Sequence, residues 1–233
     1  MDMPQRLKDV KMTKIPPWSY SSIKTYDQCP KKYYHLKVIK DVVEPVTEAI
    51  HYGKLFHTAA EEYIRDDKPI PPQFEFVKNT LDNLKQLQGD KHCEYKLALT
   101  SNLDPCDFFS ENVWWRGVAD LLVINGDEAR CIDYKTGKSA KYADTDQLEL
   151  MALAVFKHFP QVKKVKAGLL FVISKNFIKD SYSFENQDKM WMKWFSEYNR
   201  MKFSYENNVW NPRPSGLCKK HCYVLECPHN GRN

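Results

Sequence analysis

The chain has 233 residues, 42% of them hydrophobic and 28% charged, with thirteen Tyr, twelve Phe and six Trp; that is mass for one full α/β domain with appendages and excludes a disordered chain. No run of eighteen apolar residues occurs and the opening "MDMPQRLKDVKMTK" has no apolar centre, so neither membrane span nor secretion signal is expected, and the protein reads as cytoplasmic. A net charge of +5 permits an acidic partner such as nucleic acid without requiring one, and seven cysteines cannot all pair within one chain.

The first dozen residues are polar and expected to be loose. In "WSYSSIKTYDQCPKKYYHLKVIK", serines able to cap a helix precede Ile23, Tyr26 and Tyr33 or Tyr34 near helical spacing, which predicts a helix that kinks or restarts at Pro30. "VTEAIHYGKLFHTAAEEYIRDD" puts Ile50, Leu55, Phe56, Ala59, Tyr63 and Ile64 roughly on one face of a second helix, and "FEFVKNTLDNLKQLQG" reads as a third, closed by Gly89. From about residue 94, "YKLALTS", "NVWWRGVADLLVI" and "EARCIDYKT" are short runs rich in β-branched and aromatic residues, hence strands. "DTDQLELMALAVFKHF" returns to helical spacing, "VKAGLLFVIS" is a buried strand, and "NQDKMWMKWFSEYNRMKFSYENN" is a long amphipathic helix before the cysteine-rich tail. This order predicts an α/β fold with a mixed central sheet flanked by helices. One domain is expected over 1–233, with its core at about 45–185, a helical segment at 19–44 carrying Cys29, and a helix and tail at 186–233.

Asn125-Gly126 between two apolar runs signals a two-residue hairpin turn. That turn sets Ile124 against Asp127 and Asp120 opposite Cys131, so Asp133 becomes the diagonal neighbour of Asp120 on one face, with Lys135 following. Two carboxylates brought together repel unless one takes up a proton or a divalent ion such as Mg²⁺ or Mn²⁺ lies between them. The plain alternative is a pair of exposed strand-end acids with Lys135 in a surface salt bridge. His57 and Glu61, four apart, share a helix face, and Gln147 opens the helix after the strands.

Taken in order, Gly53-x3-His57-x3-Glu61, Gly117-x2-Asp120, Asp133-x-Lys135 and Gln147 resemble the PD-(D/E)XK nuclease superfamily, and within it the nuclease domains of RecB and AddB and the CRISPR-associated nucleases related to them. The likeness runs from about residue 19 to 227. It implies a restriction-endonuclease-like core, with His57, Asp120, Asp133 and the main-chain carbonyl of Tyr134 as ligands of Mg²⁺ or Mn²⁺. It also implies Asp120, Asp133, Lys135 and Gln147 as catalytic residues and Glu61 as an auxiliary one. One departure is Met151, standing where the family's Q-x3-Y has a tyrosine.

In that family one cysteine before the core and three after it hold a 4Fe-4S cluster that staples the chain ends. Cys29, Cys218, Cys222 and Cys227 take those places, with C-x3-C-x4-C where C-x2-C-x5-C is usual. Four thiolates equally suit tetrahedral Zn²⁺, with His221 or His229 able to replace one, or they are unligated thiols. Cys93, Cys106 and Cys131 read as core or surface thiols. Lys31 and Lys32, Arg116 after Trp114 and Trp115, and Lys138 offer cations and stacking surfaces for DNA. The resemblance implies a metal-dependent DNA exonuclease acting on single strands or duplex ends in recombination, replication or repair, alongside proteins of those processes, and its compact size fits a bacterial or phage source. A catalytically silent DNA-binding or scaffold subunit and an endonuclease of the same fold are the rival readings.

Overall fold

The computed structural model describes residues 15–141 and 143–232, so the expected loose first dozen lie outside it. The backbone divides into two compact units, one of residues 45–191 and one made from both ends, up to residue 44 and from residue 192 onward.

In the terminal unit, Ser19 caps α1 (Tyr20–Gln28): its hydroxyl accepts from Ser22 N–H at 3.3 Å while Ser22 Oγ accepts from Ser19 N–H at 2.8 Å. Cys29 ends α1 and caps α2 (Pro30–Tyr33), so the helix restarts at Pro30, where a missing N–H costs nothing.

The larger unit opens with α3 (Glu48–Arg65), capped by Thr47, which buries Phe56, Ala59, Ala60 and Ile64. Ile50 and Leu55, expected on that face, are instead 47% and 44% exposed. A 3₁₀ turn over Pro72–Val77 leads into α4 (Lys78–Lys85), which stops short of the predicted Gly89. Gly89 serves the next element instead: at φ +119°, its hydrogen sits where a Cβ would lie 2.3 Å from the Ile124 carbonyl. Five strands form one sheet in sequence order: β1 (Asp90–Leu99), β2 (Trp115–Asn125), β3 (Glu128–Lys135), β4 (Lys164–Phe171) and β5 (Asn176–Ser183). Only β3 and β4 are parallel, and α5 (Asp146–His158) makes the crossover that parallel neighbours require.

β5 was not foreseen: "NFIKDSYS" buries only Tyr182 and pairs only with β4, so as an edge strand it lacks the apolar alternation that marks half-buried strands. Phe56, Ala60 and Leu81 from the α3–α4 layer pack with Leu121, Val123, Ile132, Tyr134 and Val172 of the sheet side. α5 is buried at nearly every position from Leu148 to Phe156 and covers the other face. The chain then enters α6 (Gln187–Asn207). Within the terminal unit Trp18 stacks on Trp194 at 6.3 Å and Tyr33 on Trp210 at 6.0 Å, and Tyr26 Oη hydrogen-bonds Ser204 Oγ at 2.7 Å.

The hairpin register corrects the sequence expectation by one step. Ile124 faces Ala129 and Leu122 faces Cys131, so the turn residues are Gly126 and Asp127 rather than Asn125 and Gly126. Gly126 alone has the positive φ, +60°, which a type II′ turn requires of its first central residue. Continued one place beyond Leu121↔Ile132, this register sets Asp120 directly opposite Asp133, not diagonal to it.

A second irregularity lies between β1 and β2. Their register is constant, from Asp90↔Ile124 to Leu99↔Trp115, yet the side chains change faces halfway. Leu121 and Val123, with Cys93 packed against them, belong to the α3–α4 core, whereas the position of a Cβ on Gly117 would be 3.0 Å from Met151 Sδ of α5. His92 and Tyr95, an odd number apart, both meet the Phe159 ring, at 5.9 and 5.7 Å, which strict alternation forbids. The inversion falls on Glu94, whose backbone is left-handed at φ +48°, a conformation that costs a non-glycine residue about 1–3 kcal/mol and clusters at functional sites.

Candidate metal centre

Glu94 lies between Cys93↔Leu121 and Tyr95↔Ala119, in the place the register sets against Asp120, and the β2–β3 register continued one place beyond Leu121↔Ile132 sets Asp120 against Asp133. Three carboxylates therefore occupy one row across β1, β2 and β3. The β2–β3 ladder ends just before this row, and Tyr134 N–H donates at 2.6 Å to Asp120 Oδ2 instead of to a β2 carbonyl. Asp120 is thereby drawn into the seam between the strands, 9% exposed.

His57 reaches the same point from α3, with Nδ1 3.3 Å from Asp120 Oδ1 and 3.5 Å from Glu94 Oε1. Its ring is fixed edge-on to Tyr134 at 5.9 Å, and Phe56 does the same from the neighbouring position at 5.6 Å. One turn earlier, Gly53 brings α3 against the end of β3, where an added Cβ would lie 3.2 Å from Thr136 Oγ1. Burial lowers the proton affinity of His57, but hydrogen bonds and attraction from Asp120 and Glu94 outweigh it and push its pKa up to about 10.

At the other end of the row, Gln147 Nε2 donates to Asp133 Oδ1, and Lys135 Nζ lies 2.8 Å from Asp133 Oδ2 and donates to Gln147 Oε1 at 3.0 Å. Asp133, Lys135 and Gln147 thus form a closed ring of contacts at the junction of β3 and α5. Burial and then repulsion from Asp120 push the Asp133 pKa up to about 6, with Lys135 and Gln147 opposing. Its Oδ2 is buried and makes no hydrogen bond of good geometry, the Lys135 ammonium being an ion-pair neighbour only.

A divalent cation fits this donor set. One donor atom from each of His57, Glu94 and Asp120 lies within 4.8 Å of the others, imidazole with carboxylates suits Mn²⁺ and carboxylates suit Mg²⁺, and a positive ion would relieve the repulsion recorded at Asp133. Of the residues singled out from sequence, His57, Asp120, Asp133, Lys135 and Gln147 come together here, with the Tyr134 backbone bonded to Asp120. Glu61 lines an open cleft of about 1130 Å³ together with His57 and Glu94, but its carboxylate is engaged by Arg65 rather than by the His57 group. Glu94 was not anticipated. Its signal is the charged residue interrupting "KHCEYKLAL", which gains meaning only once the β1–β2 register is known.

In the terminal unit, Cys29, Cys218, Cys222 and Cys227 line one small cavity of about 30 Å³, together with His221 and His229. No disulfide joins them. Backbone N–H groups point at the sulfurs, Arg213 to Cys29 at 3.3 Å and Ser215 to Cys218 at 3.4 Å. Among the described residues no three of these donors come within 4.8 Å of one another, wider than the ~3.8 Å sulfur spacing of tetrahedral zinc. Lys31 and Lys32 line the same cavity, Lys32 paired with Glu44 at 2.8 Å. Arg116 lies over the Phe108 ring at 5.4 Å, and Lys138 is exposed beyond β3.

A family model described as the PD-(D/E)XK nuclease superfamily matches residues 17–228. Among solved structures, a protein of Eubacterium rectale named as a candidate exonuclease is similar at 11% identity and a TM-score of 0.55, over 98% of this chain and 96% of that one. The protein named SSO0001 is similar at 14% identity and a TM-score of 0.45, over 97% and 91% of the two chains. Curated proteins give no match. No helix among the described residues is long and apolar enough to cross a membrane. The mixed five-stranded sheet flanked by helices is the restriction-endonuclease-like architecture, and members of the superfamily use divalent metals on nucleic acid. By a match that spans nearly its whole length, the chain belongs to the PD-(D/E)XK nuclease superfamily.

Proposed function

We propose that the chain is a metal-dependent DNA exonuclease of the branch that includes the RecB and AddB nuclease domains and their CRISPR-associated relatives, acting on single strands or duplex ends in recombination, replication or repair. The observation that carries this reading is the row of Glu94, Asp120 and Asp133 closed at one end by the contacts among Asp133, Lys135 and Gln147. His57, Asp120, Asp133 and the Tyr134 carbonyl, with Glu94 added, would hold Mg²⁺ or Mn²⁺. When bound, such an ion supplies Lewis acidity and a water acidic enough to attack a phosphodiester.

The side chains do the rest. Lys135, fixed between Asp133 and Gln147, presents a positive charge where charge develops on the phosphate, and being held there beforehand it loses little freedom in the transition state. Gln147 keeps both Asp133 and Lys135 in place with its two amide atoms. Glu61 holds Arg65 at the cleft wall, where an auxiliary contact to the backbone of the substrate is open to it. Cys29, Cys218, Cys222 and Cys227 would hold a structural 4Fe-4S cluster, a reading supported by their shared cavity and by the N–H groups on their sulfurs.

The test is an assay of end-labelled linear DNA with Mn²⁺ against EDTA, run beside a circular single strand. Linear strands should shorten only with metal while circles stay intact; cut circles would point to an endonuclease. A silent subunit is excluded if Asp133→Ala abolishes cleavage yet leaves DNA affinity unchanged.

A further inference from the structure

The connection between β1 and β2, residues 100–114, carries Phe109 at 73% exposure. A single exposed ring is ordinary on a protein surface; this one is set apart by what surrounds it. The loop that carries it is tightly tied: Thr100 N–H donates to Asp104 O at 2.9 Å, Cys106 N–H to Ala98 O at 3.1 Å and Trp114 N–H to Leu99 O at 2.8 Å. Phe109 N–H itself donates to Asp107 Oδ1 at 2.8 Å.

Two cations pack on the Phe108–Phe109 pair of rings. Lys96 Nζ lies 5.0 Å from the Phe109 centroid and 5.8 Å from that of Phe108, the Arg116 guanidinium 5.4 Å from Phe108, and the two rings meet edge to face at 5.1 Å. Among the described residues neither Lys96 nor Arg116 forms an ion pair with a carboxylate, so both charges are open to an anion. Lys96 also lines the cleft that contains His57 and Glu94, two residues or about 7 Å along β1 from Glu94.

A pair of solvent-accessible rings with unpaired cations packed over them is a combination that binds single-stranded nucleic acid, a ring stacking on a base while the cations meet phosphates. Bases in a duplex are already stacked on both sides and cannot use it. Resting on the nuclease reading above, we infer that Phe109, backed by Phe108 and flanked by Lys96 and Arg116, is a base-stacking platform that holds one unpaired nucleotide of the substrate strand on its way to the carboxylate row.

The test compares the wild type, Phe109→Ala and Phe109→Trp in EDTA, so that no cleavage intervenes, for binding to a fluorescently labelled oligonucleotide and to a strand of equal length whose central sugars lack bases. Phe109→Ala should weaken binding of the intact strand roughly tenfold and bind the abasic strand as the wild type does, while Phe109→Trp retains wild-type affinity for both. Equal loss on both strands, or no loss on either, would overturn the platform while leaving the nuclease reading intact. A wild-type protein that binds neither strand and cleaves nothing with Mn²⁺ would overturn both together.

Discussion

At the carboxylate row, Glu94, Asp120 and Asp133 come from three neighbouring strands, and burial, then repulsion from Asp120, raises the Asp133 pKa to about 6. At the cysteine cavity, Cys29, Cys218, Cys222 and Cys227 come from a helix cap and from the tail, bring no charge as thiols, and disturb no sheet. The first site departs from regular structure to exist: one residue turns left-handed, a ladder stops, and a backbone N–H is diverted to a side chain. The second uses ordinary caps and turns. Under the proposed function, that contrast separates a place for chemistry, costly until a cation arrives, from a place that ties two ends of a chain together.

The largest expected effect tests the first site. Asp120→Ala removes a proposed ligand and the acceptor of the Tyr134 N–H, and should lower cleavage of end-labelled DNA at least ~10³-fold. Lys135→Met, which keeps the stem and loses the charge, should cost about 10²–10³-fold in kcat with little change in DNA affinity. If both variants cut normally, the row is not the reacting centre. Next comes Glu94→Gln, expected to weaken Mn²⁺ binding about 10–100-fold by calorimetry; unchanged affinity would assign the ion to Asp120 and Asp133 without it. On the other side of the comparison, Cys222→Ser should abolish absorbance at about 400 nm in protein purified without oxygen, while a colourless wild type would leave the cavity without its cluster.

A smaller effect has the opposite sign. The Asp133 pKa is raised from 3.8 to about 6 in the fold, so its contribution to stability is fully present below pH 3.8 and lost as the pH rises through about 6. Metal-free Asp133→Asn should therefore be more stable than the wild type at pH 8, by about 1–2 kcal/mol in urea unfolding. A less stable variant would mean that the contacts with Lys135 and Gln147 outweigh the repulsion. For the same reason Mn²⁺ affinity should rise with pH from neutrality toward about 10, since binding must displace the proton that Asp120 and Glu94 hold on His57.

Most of the site could be read from sequence because spacing within one element fixes geometry: Asp133 and Lys135 share a face two residues apart on β3, and His57 sits one turn beyond Gly53 on α3. The Asp120–Asp133 pairing was placed one step out because the turn residue with positive φ is chosen by backbone twist, and only Gly126 takes it. Glu94 escaped notice for a different reason. Its neighbour Asp120 lies across a 15-residue connection whose length sets no register, and the face inversion at Glu94 breaks the alternation by which its side would be inferred. β5 was hidden because an edge strand facing water has no need of apolar periodicity.

The most direct test of the carboxylate row is a crystal structure grown with Mn²⁺ and phased to show anomalous scatterers. The account predicts one ion at about 2.0–2.3 Å from a His57 nitrogen and from oxygens of Asp120 and at least one of Glu94 and Asp133. A saturated crystal in which manganese sits elsewhere, with these side chains arranged as they are now, would contradict it.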